Sequence, residues 1–193
     1  CVYYEYKPED DAGLDLALLH NKNRKSPNLT YSNTYLKRVL YGVRTPYTNK
    51  GEVFSKNRAD YLFETVFDYG EHDPLNPPFD ETGEWAFRGD AFSTYRGGFE
   101  TRTCRLCKRI LHYHHFAELI GGSALVKSLD FVYSINAPSG FNFLQEVVTR
   151  GYIKRADGTY TQQSMPPFSF SYQQHEWNHE VRTLGAEDLV GAP

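Results

Sequence analysis

The residues best equipped for chemistry in this 193-residue chain crowd into one stretch, Arg88 to Phe116. Cys104 and Cys107 are separated by two residues, His112, His114 and His115 come close behind, and Arg88, Arg96, Arg102, Arg105 and Arg109 punctuate the run. Thiolate and imidazole both suit Zn²⁺, a borderline-soft ion. The spacing opposes that use. If 101–116 is one strand, Cys104 and Cys107 point to opposite faces, and so do His114 and His115. Arg105-Leu106 supplies no turn residue for a zinc knuckle, and no βαβ pattern surrounds the pair as a thioredoxin-like dithiol would require. A nucleophilic Cys107–His pair lacks an orienting third group and an oxyanion hole. Cys107 is therefore expected to be a buried, inert and metal-free thiol, and the chain to have no catalytic residues, metal or cofactor.

Charge is unevenly spread around this stretch. Residues 61–90 hold eight acids against Arg88 alone, whereas 91–155 hold nine Lys/Arg against four acids. Asp68, Glu71, Asp73, Asp80, Glu81 and Glu84 lack the spacing of a calcium loop. They single out no glycosidase pair either. Such segregation predicts that Arg96, Arg102, Arg105 and Arg109, at alternating strand positions, pair with the acids of 61–90. Arg88-Gly89-Asp90 spells an adhesion tripeptide, which in a chain of this size arises by chance. Asn28-Leu29-Thr30 is a glycosylation sequon only in a eukaryotic secretory context. An alternative use of the chain is a carbohydrate- or protein-binding β module, with aromatic loops around Trp85 and Trp177.

The elements that must position these residues read as strands. Aromatic residues are abundant, with 15 Tyr and 13 Phe, and both suit a pleated, half-buried surface. Val2 to Lys7, Tyr35 to Tyr41, Tyr61 to Tyr69 and Ser128 to Ile135 all carry strand patterning. In the third, Tyr61, Phe63, Thr65, Phe67 and Tyr69 share one face, opposite Leu62, Glu64, Val66 and Asp68. Phe141 to Tyr152 is ambiguous by period, but its FLQEV echoes YLKRV at 35–39 and predicts a strand. Asp157-Gly158 marks a hairpin turn, and Phe168, Phe170 and Tyr172 alternate with serines beyond it. Residues 14–33 and 70–90 read as long loops, the second rich in Pro and acid. The expected class is all-β: antiparallel strands in a large, irregular, shell-like sheet with long loops and little helix.

Bulk properties narrow the function. A formal charge of −3 argues against a dedicated nucleic-acid binder. Three cysteines cannot all pair within the chain, so a disulfide framework is not expected. No apolar run approaches the ~18 residues of a membrane span, and no signal peptide is expected within these residues. The chain opens on Cys1 inside a strand-like run, and is expected to be part of a longer polypeptide. Residues 1–193 read as one β domain, with 173–193 the start of a connection to the next domain.

The central stretch also resembles the N-terminal domain of the SpvB family of virulence proteins, shared with the B component of bacterial insecticidal toxin complexes. The likeness rests on Arg88, Asp90, Phe92 to Tyr95, Arg96, Gly98 to Glu100, Arg102-Thr103, Arg105 to Cys107, Arg109 to Leu111 and His114 to Phe116. Within these, Arg88, Asp90, Tyr95, Arg96, Phe99, Glu100, Arg102, Arg105, Cys107, Arg109, His114, His115 and Phe116 form the structural signature. Residues 5–13, 35–42, 63–73, 151–152 and 166–172 extend it across nearly the whole chain. Cys104 departs from the pattern, falling where an aromatic residue is expected, so the Cys104–Cys107 spacing reads as incidental. The resemblance implies a non-catalytic segment of a secreted toxin that leads into a β-propeller and then a tyrosine–aspartate-repeat shell. That shell encloses a C-terminal effector until delivery. The implied partners are those domains of its own chain and other toxin subunits, with no nucleic acid. The family's ADP-ribosylation activity sits in another domain and normally needs a Glu-x-Glu pair, a spacing missing from these residues.

Overall fold

The computed structural model describes residues 1–19, 21–22, 33–47, 54–136, 139–173, 179–181, 183, 185 and 190. The Asn28 sequon and Trp177 lie outside these residues, as does most of 173–193 with its expected connecting role. Ten strands are described: β1 Val2–Pro8, β2 Thr34–Val43, β3 Tyr61–Asp68, β4 Phe92–Thr94, β5 Thr101–Thr103, β6 Arg109–His114, β7 Ala124–Ile135, β8 Asn142–Lys154, β9 Tyr160–Ser164 and β10 Phe168–Ser169. The only helical pieces among the described residues are two 3₁₀ turns, Arg58–Asp60 and Ile120–Gly122. The all-β, antiparallel expectation holds.

Eight strands form one open sheet in the order β1-β2-β3-β6-β7-β8-β10, with β9 also on β8, while β4 and β5 make a separate hairpin. Every pairing is antiparallel. The segment expected to be ambiguous is a strand throughout β8. The Asp157-Gly158 hairpin forms as predicted, with Gly158 at φ 87°, a left-handed turn position that glycine occupies without strain. β10 is shorter than the alternating pattern suggested. Its ladder to β8 covers Phe168–Ser169, although Phe170 N still donates to Gln145 O at 2.8 Å.

Cross-strand partners share a face, so the registers separate the sheet into two sides. On one side Leu40, Glu64 and Tyr113 align across β2, β3 and β6, as do Arg38, Val66 and Leu111. This side holds the core cluster Val66, Leu111, Tyr113 and Leu125, flanked by Tyr152 and Tyr160. The other side aligns Tyr41, Phe63 and His114, then Val39, Thr65 and His112. A second cluster, Tyr35, Tyr69 and Trp85 against Ala12, Phe67 and Cys107, covers one end of it.

In β3 the burial reverses what hydrophobicity alone suggests. Glu64, Val66 and Asp68 are buried, whereas Phe63, Thr65 and Phe67 are half-buried. A buried carboxylate is tolerable only when paired and hydrogen-bonded, and both acids are.

Candidate functional site

Residues 101–116 are not one strand. Thr101–Thr103 and Arg109–His114 are strands of different sheets, joined by residues 104–108. The residues that the stretch Arg88–Phe116 brings together are arginines and their partners. Arg88 grips Asp90 through Nε at 2.7 Å and Nη2 at 2.9 Å. Asp90 also accepts from Asn142 N at 2.8 Å and Nδ2 at 2.6 Å, tying the loop to β8. The Arg88 hydrogen bonds, with those from Asn142, hold the Asp90 carboxyl far below its ordinary range against the effect of burial. Both charges of the adhesion-like tripeptide are thus consumed internally.

Arg105 is the most enclosed of the set. Its Nε lies 3.0 Å from both Glu9 carboxylate oxygens, and its Nη1 donates to Ala12 O at 2.8 Å and Trp85 O at 2.9 Å. The guanidinium lies 4.3 Å from the Trp85 ring centroid, and the side chains of Arg105 and Glu9 are both fully buried. Trp85 Nε1 donates to Asp10 at 2.7 Å. Arg109 joins Asp68 at 2.6–2.7 Å and donates to the carbonyls of His72, Asp73 and Pro74 at 3.1 Å. This pins the acidic loop 70–83 over the buried face. Arg102 reaches Ser93 Oγ at 3.1 Å and Asn21 Oδ1 at 3.2 Å. Glu100 accepts from Ser93 Oγ at 2.5 Å. Tyr95, Arg96 and Phe99 are exposed around the β4–β5 turn.

Of the four arginines expected to meet acids of 61–90, Arg109 alone does so among the described contacts. Several other acids have partners that sequence reasoning missed. Glu64 lies 3.0 Å from Arg38, 2.8 Å from Arg58 and 3.0 Å from His115. Burial opposes its ionisation, but the His115 hydrogen bond with Arg58 and Arg38 overcomes that and lowers its pKa. Lys37, 1% exposed, meets Glu71, Glu81 at 3.5 Å and His72 Nε2 at 3.3 Å. Lys37 is the extra residue opposite the Glu5/Tyr6 register shift of β1. That shift turns it inward, a displacement that strict alternation does not reveal.

The sulfur and imidazole groups diverge. Cys104 is fully buried and Cys107 only half-buried, which corrects the expectation that Cys107 is the sealed thiol. The Cys104 amide donates to Tyr35 Oη at 2.8 Å, drawing that residue inward. Burial first, with nearby acids, pushes the Cys104 thiol up to about 11 and the Cys107 thiol to about 12. Neither is a thiolate at neutral pH, so neither is a ready nucleophile. His114 lies on the Phe63 side and His115 on the Glu64 side, as the parity predicted. His112 donates to or accepts from Tyr41 Oη at 3.2 Å and Thr65 Oγ1 at 3.1 Å. Among the described residues, no three His, Cys, Asp or Glu side chains converge as a metal site. Phe116 closes the same side, 5.6 Å from the Phe63 ring.

An accessible cleft is lined by Arg44, Arg58, Phe79, His115 and Ser123. Its charged groups are already engaged. Arg58 holds Glu64 and Asp80, Arg44 donates to Ala59 O and His115 O, and His115 also meets Ser123 at 2.7 Å.

The fold and this site define an open antiparallel sheet domain held by buried arginine–carboxylate pairs. Known proteins place it further. The family described as Salmonella virulence plasmid 65kDa B protein (SpvB) matches residues 1–116, and the chain belongs to that family. The mono(ADP-ribosyl)transferase SpvB of Salmonella typhimurium is 38% identical over 140 residues, 70% of this chain and 23% of the relative. The chain thus spans about a quarter of the length of the curated relatives it matches. The solved N-terminal domain of the effector protein SpvB from Salmonella typhimurium strain LT2 superposes with TM-score 0.60 at 30% identity, over 89% of this chain and 47% of that one. TcdB2-TccC3-Cdc42 superposes with TM-score 0.70 at 35% identity, over 91% of this chain and 8% of that one. The Photorhabdus luminescens Tc holotoxin pore gives 0.69 at 34%, over 89% and 8%.

Proposed function

We propose that this chain is a non-catalytic structural segment of a secreted bacterial virulence or insecticidal toxin, helping to build the β shell that encloses and delivers a C-terminal effector. The observation that carries this reading is the Arg105 and Arg109 lattice, in which the stretch richest in reactive side chains has them spent on holding loops to the sheet. Its similarity to toxin-complex structures supports the same reading. Residues 1–193 act as one β domain within a longer polypeptide, with 173–193 leading towards a β-propeller, and Arg88 to Phe116 supply its structural signature. Its partners are the propeller, the repeat shell and other toxin subunits. Any ADP-ribosyltransferase activity belongs to another domain. Trp85, 2% exposed under Lys7 and Arg105, offers no ring face to a sugar, which weighs against the carbohydrate-binding alternative.

The test uses the full-length toxin. Arg109→Ala should make the enclosed effector sensitive to protease while leaving the activity of the released effector unchanged. NAD turnover or glycoside cleavage that tracks residues 1–193 would sink the reading.

A further inference from the structure

The two edges of the sheet are built differently. The β1 edge carries the safeguards that block unwanted strand addition. Charged Glu5 and Lys7 interrupt it, paired to Arg38 at 3.1 Å and Glu81 at 2.8 Å. A register shift distorts it between Glu5 and Tyr6, and Pro8 ends it. The opposite edge has no such charges. From Ser164 to Gln173 there is no Asp, Glu, Lys or Arg.

Along this edge Met165 N donates to Thr149 O and Phe170 N to Gln145 O, so the backbone tracks β8 on both sides of β10. Tyr172 anchors the far end, donating to Leu144 O at 2.6 Å with its ring 4.9 Å from Phe143. The segment is therefore held in an extended form. Yet Phe168 is 72% exposed, and Phe170 and Tyr172 are each 47% exposed. Ile135 and Phe141, at the neighbouring β7–β8 turn, are exposed too. Among the described residues, no strand lies beyond β10.

We infer that the Phe168–Tyr172 edge is a strand-addition site, occupied by an uncharged β-strand from a part of the same polypeptide outside these 193 residues. Main-chain bonds would extend the sheet, and apolar side chains of the added strand would cover Phe168 and Phe170. The same polypeptide is the favoured source for two reasons. Pro166 and Pro167 lack amide hydrogens and confine the ladder to a short segment, too short to hold an untethered strand. Tethering supplies an effective concentration of about millimolar, and the toxin chains that this one resembles leave ample sequence to provide it, since it covers 8% of them.

This inference rests on the scaffold reading, and its test separates the two. In the full-length protein, Phe168→Cys and Phe170→Cys should react with a maleimide at least about tenfold more slowly than Ala156→Cys in the exposed β8–β9 turn. In the unsubstituted protein, the Ser169 and Ser171 amides, which alternate with the β8-bonded Phe170 amide and so face the open side, should exchange slowly, a readout that no substitution can perturb. Labelling at the Ala156→Cys rate together with fast amide exchange would overturn the inference, even if effector enclosure is intact. Protection lost on dilution would assign the edge to a second copy and overturn it equally.

Discussion

Arg105→Ala is the sharpest perturbation available, because among the described residues Glu9 has no other cation within bonding distance. Both side chains are fully buried, so truncation strands a carboxylate and deprives the Ala12 and Trp85 carbonyls of their donor. Removing one partner of a buried ion pair costs about 3–5 kcal/mol, chiefly through the uncompensated charge left behind. With a urea m-value of about 2 kcal/mol/M, a loss of about 4 kcal/mol lowers the unfolding midpoint by about 2 M. Trp85 reports this directly, since the guanidinium covers its ring. A Trp177→Phe background leaves it as the sole tryptophan of residues 1–193. Arg105→Lys keeps the charge but cannot reach Glu9 and two carbonyls together, and should fall between the wild type and Arg105→Ala. Adding Glu9→Leu to Arg105→Met should recover most of the loss, because the stranded charge is gone. A midpoint shift under about 0.3 M for Arg105→Ala, or no recovery in the double variant, refutes the lattice as the source of stability.

Other parts of the molecule give three further expected outcomes. Gly42 sits at φ 69°, and a Cβ there would lie 2.6 Å from Phe63 Cδ2, so Gly42→Ala should cost about 1–3 kcal/mol. Phe63→Leu in the same chain should relieve part of that loss in thermal melts. Cys104 and Cys107 should resist alkylation at pH 8 until urea unfolds the chain, because burial raises both thiols, while exposed Cys1 reacts at once. Mass spectrometry of labelled peptides distinguishes the three. Burial, aided by Lys37, lowers the His72 pKa, and burial, aided by His114 and Lys127, lowers that of His112. The unfolded chain then binds more protons than the folded one below about pH 6.5, so stability should fall as pH drops through that value and His112→Asn should flatten the fall. Below about pH 4.5, protonation of Glu64 and Asp90, both held low when folded, should add a second decline.

Local pattern carried much of the fold. Period-two alternation, β-branched and aromatic residues, and the Asp157-Gly158 turn placed the main strands within a few residues of where they lie. Likeness to the SpvB family was readable from long motifs in order. Pattern also separated His114 from His115, because alternation is a property of a single strand. It sorted the two faces of β3 but could not say that Glu64 and Asp68 occupy the buried one, since inward burial of an acid depends on Arg38, Arg58, His115 and Arg109 arriving from other elements. Arg105 likewise found Glu9 near the N-terminus instead of the neighbouring acidic loop. The sequence by itself determined the main strands, the all-β class and the family. Only the tertiary structure decided which charges are buried, which thiol is sealed and which sheet edge has no partner among the described residues. Each of those outcomes depends on where the chain folds back on itself, and desolvation makes the energy of a charge a property of its surroundings instead of its place in the sequence.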